Sequence, residues 1–294
     1  MKEVISLASL AAKNDSTVLL LGETGSGKGV LAKWLHNNSL RSSAPFVEVN
    51  CSNLRGELLA SELFGHVKGA FTSAFQDRQG LIEVSDGGTL FLDEISDMDI
   101  TIQAQFLKVI EEKQYRRLGE VKLRKSEFRL ICATNHNLME EIRQDRFRKD
   151  LYFRINVLPI IIPPLRERLE DIPGLVRHIF IDMGVHDIEI SEKVMRFLQD
   201  YSWPGNIREL RNVLERALLL SEGKNLTIEH FSGINSLHGA PDYIVNTNKL
   251  ECVEESHIKT VIKRFDGDTR KAAVALGISR ATLYRKLNKF RKNQ

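Results

Sequence analysis

Thr17-Val18-Leu19-Leu20-Leu21-Gly22-Glu23-Thr24-Gly25-Ser26-Gly27-Lys28-Gly29 is an apolar run that breaks into glycines and then opens the helical pattern Gly29 to Asn37. A strand feeding a glycine-rich turn and a helix is the context a phosphate-binding loop requires. Successive backbone N–H groups cradle oxyanions, the helix N-terminus favours negative charge, and Lys28 reaches the β- and γ-phosphates. Residues Gly22 to Gly29 are the candidate nucleotide ligands. Gly29 stands where a Ser or Thr hydroxyl usually binds Mg²⁺, so the metal must rely on phosphates, water and a carboxylate from elsewhere.

That carboxylate is supplied downstream by Gly88-Thr89-Leu90-Phe91-Leu92-Asp93-Glu94, a hydrophobic strand delivering two acids to its C-terminal end, where ligands bind in open α/β sheets. Asp93 is the candidate Mg²⁺ ligand, directly or through water, and Glu94 the candidate activator of an attacking water. A further strand ends in Cys132-Ala133-Thr134-Asn135. Asn135 there either orients water and senses the γ-phosphate or simply caps loop backbone. No acceptor apparatus of a kinase is visible, so the pattern points to ATP hydrolysis.

Strand-like runs at Thr17–Leu21, Phe46–Val49, Thr89–Leu92, Phe128–Ala133 and Val157–Ile162 alternate with helical patterns. Such alternation predicts a parallel five-stranded sheet covered by helices, an α/β domain over residues 1–165. Beyond Pro163-Pro164 the apolar spacing turns helical, through Ile172, Val176 and Ile179 to Leu210, Leu214 and Leu218, predicting an α-helical lid over 166–232. Residues 233–248 read as a linker, rich in Gly, Ser, Asn and His. Residues 249–294 end the chain as two helices with a short turn.

At 294 residues, 42% hydrophobic and 28% charged, composition is that of a packed globular protein. The longest apolar run, Val157 to Leu165, is short and holds three prolines. No membrane segment or signal peptide is expected, and the cytoplasm is the expected compartment. Cys51, Cys132 and Cys252 are in no metal-ligand spacing and read as small core residues. The net charge of +3 is unevenly spread: residues 249–294 carry +7 and residues 1–248 carry −4. A basic tail on an acidic body suggests an appendage that binds nucleic acid. Within it Asp268-Thr269 starts one helix, Gly277-Ile278 makes a turn and Ser279 caps the next. Arg280, Ala281, Thr282 and Arg285 fall where they can enter a major groove, while Lys286, Lys289, Arg291 and Lys292 suit phosphate. A plain helical hairpin would share this pattern.

The strings GETGSGKG, SELFGHVKGAFTSA, GGTLFLDEI, ICATN, FRKDLYFRINVLPIIIPPLRER and WPGNIREL, in this order over nearly the whole chain, resemble an AAA+ ATPase. More narrowly, they resemble the central domain of bacterial sigma-54-dependent transcription activators, with a Fis-type helix-turn-helix at the end. The resemblance implies that Arg148 and Arg154 are arginine fingers reaching the γ-phosphate held by a neighbouring subunit. From spacing alone, arginines six apart are more often surface charges. It implies that Arg208 is the lid arginine contacting nucleotide. Asn50 is implied as a switch partner holding Glu94 away from water, although a strand-end Asn also serves as a turn former. Residues 115–127 resemble a second pore-facing loop, and equally fit a solvated charged hairpin.

Gly69-Ala70-Phe71-Thr72-Ser73-Ala74 matches the family's Gly-Ala-Phe-Thr-Gly-Ala, which contacts sigma-54 on RNA polymerase. Small residues on both sides of Phe71 predict a loop tip presenting its ring outward, with Phe71 and Thr72 as contact residues. Ser73 replaces a glycine and restricts positive φ. The implied whole is an ATP- and Mg²⁺-dependent activator that binds upstream DNA, assembles from dimers into a hexameric or heptameric ring and opens sigma-54 promoters. Remodelling of a different partner, or a DNA-binding switch without turnover, are the alternatives. No sensor or receiver domain is expected in this chain ahead of the phosphate loop, so either a partner regulates it or an N-terminal module has been removed.

Overall fold

The structure is a computed structural model describing residues 1–54, 56–185, 190–221, 225–231, 258, 268–280, 282–283 and 286. Five strands, β1 (Val18–Leu21), β2 (Phe46–Asn50), β3 (Thr89–Asp93), β4 (Arg129–Thr134) and β5 (Leu158–Ile161), form one parallel sheet in the order β2-β3-β4-β1-β5. Each begins and ends within a residue of the span expected from sequence.

Alternate residues of these strands face two separate cores. Leu19, Leu90, Leu92, Leu130 and Cys132 pack on one side with α3 (Glu57–Phe64), α5 (Ile100–Glu112) and α7 (Lys149–Ile155). Val18, Leu20, Phe91, Ile131 and Ala133 pack on the other with α1 (Lys2–Ala12) and α2 (Lys28–Asn37). Burial on both faces explains why the strands read as continuous apolar runs. Two short helices, α4 (Leu81–Val84) and α6 (Leu138–Arg143), complete this layer. Parallel strands bring their C-terminal ends to one edge, and the register pairs Asn50 with Asp93 and Leu21 with Thr134 there.

At the opposite edge β4 opens on Arg129, which is 1% exposed. Its guanidinium donates to the Ala11 carbonyl at 2.7 Å and, less closely, to the Leu35 carbonyl at 3.4 Å. These carbonyls lie in the last turns of α1 and α2, where helix ends carry partial negative charge. Burial lowers the pKa of Arg129, with the Asp15 carboxylate acting against that shift. Arg129→Ala is therefore expected to cost about 3 kcal/mol, from the cavity and two charge-assisted hydrogen bonds. A lower urea midpoint would show it; a midpoint equal to the parent's would remove the stapling role.

Cys51 and Cys132 are buried free thiols. Burial, aided by nearby acids, pushes Cys51 up to about 12, and burial raises Cys132 as well, so both are protonated core residues. Cys252 lies outside the described residues.

Helices α8 (Ile172–Asp182), α9 (Glu192–Gln199) and α10 (Asn206–Ser221) follow the sheet. Trp203, fully buried, donates its indole N–H to the Leu198 carbonyl at 2.8 Å and meets Tyr201 edge-on, fixing the turn into α10. The chain divides into compact units at residues 1–230 and 231–294. In the second, Asp268 Oδ1 accepts from the amides of Arg270 and Lys271, capping α11 (Thr269–Ala275). Gly277 takes the left-handed turn with φ +65°, and Ser279 Oγ accepts from the Thr282 amide at 3.1 Å. Phe231, Ile258, Ala273 and Leu283 are its buried apolar residues among those described. No helix of the described residues is long and apolar enough to cross a membrane.

Candidate active site

The phosphate loop leaves β1 at Gly22, whose amide donates to the Thr134 carbonyl of β4. Gly25 and Gly27 adopt φ of +76° and +105°, a conformation that side chains resist, and Gly27 caps α2 so that its first amides stay open for an anion. Lys28 is 6% exposed; its ammonium donates to the Gly22 carbonyl at 3.0 Å and lies 3.4 Å from Glu94 Oε1. The buried Ser26 hydroxyl has no protein partner, consistent with a loop shaped for a ligand oxygen.

Glu94 follows β3 in a left-handed conformation, φ 51° and ψ 52°. A non-glycine residue there costs on the order of 1–3 kcal/mol, and such strain gathers at functional positions. Its carboxylate is gripped on both sides, by Lys28 and by the Asn135 amide at 3.0 Å. The Asn135 side chain donates to Thr24 Oγ1 at 2.9 Å, so β4, the phosphate loop and the acidic strand end meet at one point. Asp93 has its pKa raised by burial and by the neighbouring Glu94. The described residues hold no group of three or more His, Cys, Asp or Glu that could cage a metal. A Mg²⁺ ion held by Asp93 fits this arrangement only if phosphate oxygens and water complete its shell, which is how this ion is commonly bound.

The expected grip of Asn50 on Glu94 is not made. Register sets Asn50 beside Asp93, and its amide lies 3.5 Å from Asp93 Oδ2 while its Oδ1 accepts from the Ser52 amide and hydroxyl. Asn50 serves here as a turn former next to the Asp93 carboxylate.

Three residues that sequence reasoning missed close the lid onto this loop. Asn206, fully buried with φ 53°, donates to Glu23 Oε2 and to the Thr24 carbonyl, both at 3.1 Å, and accepts from the Leu165 amide. Arg166 clasps the Glu23 carboxylate at 2.6 and 2.9 Å, and Arg168, 4% exposed, donates to the Ser26 carbonyl. Arg166 and Asn206 hold Glu23 down to about 2, so the clasp is charged at neutral pH. The Ile207 amide donates to the Gly25 carbonyl, and a Cβ on Gly25 would stand 2.4 Å from the Gly205 carbonyl. That contact carries Arg208, exposed in the first turn of α10, to the rim of the phosphate loop. Two arginines just after the Pro163-Pro164 break were the available signal.

Arg148 and Arg154 bracket α7 and make no hydrogen bond or ion pair with the phosphate loop of their own chain. The Arg148 guanidinium clasps Asp150 at 2.7 and 3.0 Å, and Arg154 is exposed in the last turn. Arg148 lines an open groove of about 770 Å³ with Ile100, Ile142, Phe147 and Phe153.

The ring expected to face outward is half-buried: Phe71 lies edge-on against His66 at 4.9 Å, and His66 is fixed by Ser61 Oγ at 2.7 Å. His66 comes from the short strand Gly65–His66, paired with Arg78–Gln79, and the loop that this ribbon closes folds Phe71 back onto it. Thr72 is exposed, and the neighbouring Phe75 is 80% exposed. Gly69, at φ +83°, supplies the left-handed step, while Ser73 is not among the residues of positive φ, so its departure from glycine carries no strain here. The second loop is a hairpin, Gln114–Tyr115 pairing with Arg124–Lys125, anchored by a bidentate Arg117 clasp on Glu83. A Cβ on Gly119 would stand 2.8 Å from Ala70 Cβ, so the two loops touch.

Of the expected DNA-reading residues, Arg280 is exposed, Thr282 shares a hydrogen bond with the capping Ser279 hydroxyl, and Lys286 is half-buried. Ala281, Arg285 and Lys289 lie outside the described residues.

Three family models match stretches of the chain. The sigma-54 interaction domain matches residues 1–161, the AAA+ ATPase lid domain 166–240, and the Fis family of bacterial regulatory proteins 249–290. The chain is 42% identical to the alginate biosynthesis transcriptional regulatory protein AlgB of Pseudomonas aeruginosa, covering 99% of this chain and 66% of AlgB. It is 37% identical to the regulatory protein LuxO of Vibrio vulnificus, covering 100% of this chain and 68% of LuxO. It spans about half the length of other curated relatives. Among solved structures, NtrX from Brucella abortus in complex with ATP is similar at a TM-score of 0.74 and 31% identity, over 98% of this chain and 67% of NtrX. The chain belongs to the sigma-54 interaction domain family, joining that domain to an AAA+ lid and a Fis-family C-terminal domain.

Proposed function

We propose that this chain is an ATP-hydrolysing transcription activator that binds upstream DNA through residues 249–294, assembles into a ring and remodels closed complexes of sigma-54 RNA polymerase. The observation that carries the reading is Glu94: a strained strand-end carboxylate shared between Lys28 and the Asn135 amide, beside a phosphate loop. When phosphates take the Lys28 ammonium, Glu94 loses its counter-ion and is left as a base facing the γ-phosphate, with the Asn135 side chain beside it to orient water. Asp93 would hold Mg²⁺, which supplies neutralisation of phosphate charge. Arg208 approaches from the lid, and Arg148 and Arg154 of a neighbouring subunit complete the site. Similarity to NtrX bound to ATP supports the nucleotide assignment. Family membership supports sigma-54 and DNA as partners, and the exposed Arg280 supports a base-reading helix.

The output loop gives the decisive test. Phe71→Ala is expected to keep ATPase activity within about twofold, because the loop lies apart from the phosphate site, and to abolish open-complex formation with sigma-54 polymerase through loss of buried aromatic area. In vitro promoter opening reads the second quantity. A variant that retained both activities would remove Phe71 from the working contact.

A further inference from the structure

Gln103 lies on α5, fully buried, and none of the motifs singled out in the sequence includes it. All its polar atoms are used. Nε2 donates to the Met98 carbonyl at 2.7 Å and to the Arg146 carbonyl at 2.9 Å, while Oε1 accepts from the Arg148 amide at 2.8 Å. One carboxamide thus binds the backbone on both sides of Phe147 and ties it to the turn that precedes α5. Phe147 is itself 2% exposed in the core, so the segment is pinned by packing and by hydrogen bonds at the same place.

The stretch so fixed ends at the residue that starts α7. Arg148 caps that helix in an extended conformation, φ −76° and ψ 133°, with no side-chain cap of its own. Its amide would otherwise be one of the unpaired donors of a helix start. Gln103 therefore determines where the Arg148 Cα sits and in which direction its side chain leaves the surface, while the guanidinium remains exposed enough to exchange Asp150 for another anion. A carboxamide is the side-chain type that donates to carbonyls and accepts from an amide within one group; an ionised Glu cannot donate, and Leu can do neither.

We infer that Gln103 is a positioning residue for Arg148, acting through the backbone to aim a guanidinium that completes the phosphate site of a neighbouring subunit. The inference rests on the trans-acting role proposed for Arg148. Misplacement by about 1 Å at a distance from the chemistry costs on the order of 100-fold in rate.

Mixing experiments on the full chain separate this role from a general defect. Gln103→Leu alone is expected to lower kcat for ATP by about 10- to 100-fold with KM within about threefold of the parent. Mixed with Lys28→Ala subunits, which lack a working phosphate loop but still offer Arg148, it should recover activity. Mixed with Arg148→Ala subunits it should not, because neither partner then offers a well-aimed arginine. Recovery in that second mixture would overturn the proposal, since Gln103→Leu would still be donating a working finger. Failure of Arg148→Ala and Lys28→Ala to complement one another would overturn the trans role beneath it, a distinguishable result. Gln103→Met fills nearly the same volume but cannot donate to the Met98 and Arg146 carbonyls, so its kcat should fall as far as that of the Leu variant; parent-like kcat in Gln103→Met would assign the effect to α5 packing and overturn the positioning role.

Discussion

Glu94→Gln is expected to bind ATP at least as tightly as the parent and to hydrolyse it roughly 10²–10⁴-fold more slowly, the range over which a positioned base contributes. The substitution is close to isosteric. The amide oxygen still accepts from the Asn135 amide, so the left-handed strand end is retained. What disappears is the negative charge 3.4 Å from the Lys28 ammonium. In the parent that ion pair competes with phosphate for Lys28; in the variant only neutral backbone carbonyls do, so nucleotide affinity has no reason to fall. Losing the neighbouring charge also removes one of the three causes that raise the Asp93 pKa, leaving Asp93 more fully ionised. Binding of a fluorescent ATP analogue and steady-state phosphate release measure the two quantities separately. Turnover equal to the parent's would show that water is activated by some other group.

The sheet and the phosphate loop were legible because their signals are local. Val18 to Leu20 and Leu90 to Leu92 are buried as the sheet is covered on both faces, so each strand shows an unbroken apolar run whatever its neighbours are. Gly25 and Gly27 occupy positive φ, so their spacing reports a backbone path directly. The lid closure was illegible because its members are isolated polar residues, with Glu23 separated from Arg166 by 143 positions and from Asn206 by 183. Asn206 at a helix start reads as an ordinary cap until its partner is known.

Asn50 illustrates a different limit. Its expected contact depended on which acid β2 meets, and strand register, which places it opposite Asp93, is a property of two segments together. Phe71 shows the same limit for a side chain. Its small neighbours truly leave it unburied along the chain, but His66, held by Ser61 and brought in by the short ribbon, supplies the missing surface.

Arg148→Ala is expected to lower ATP turnover by roughly 10³–10⁵-fold, the loss associated with an arginine supplied to a phosphoryl-transfer site by another subunit. The geometry argues for trans rather than cis action. Within its own chain the guanidinium is occupied by Asp150, two positions away, in a bidentate clasp at the surface. An exposed ion pair of this kind contributes little stability, typically about 1 kcal/mol or less, so exchanging it for a γ-phosphate costs little. The backbone beneath is the opposite, pinned by Gln103 and by buried Phe147. A rigid base under an exchangeable head group suits a residue that must find a partner's phosphate without searching. Three outcomes follow from a shared site: specific activity of the parent rises with protein concentration as rings form, Arg148→Ala stays low at every concentration, and its ATP affinity remains that of the parent because its own phosphate loop is intact. Arg148→Lys should recover little, since an ammonium cannot reproduce the planar fork that spans two phosphate oxygens. Specific activity independent of concentration in the parent, together with near-normal turnover in Arg148→Ala, would place the whole catalytic apparatus within one subunit and leave Arg148 as a surface charge.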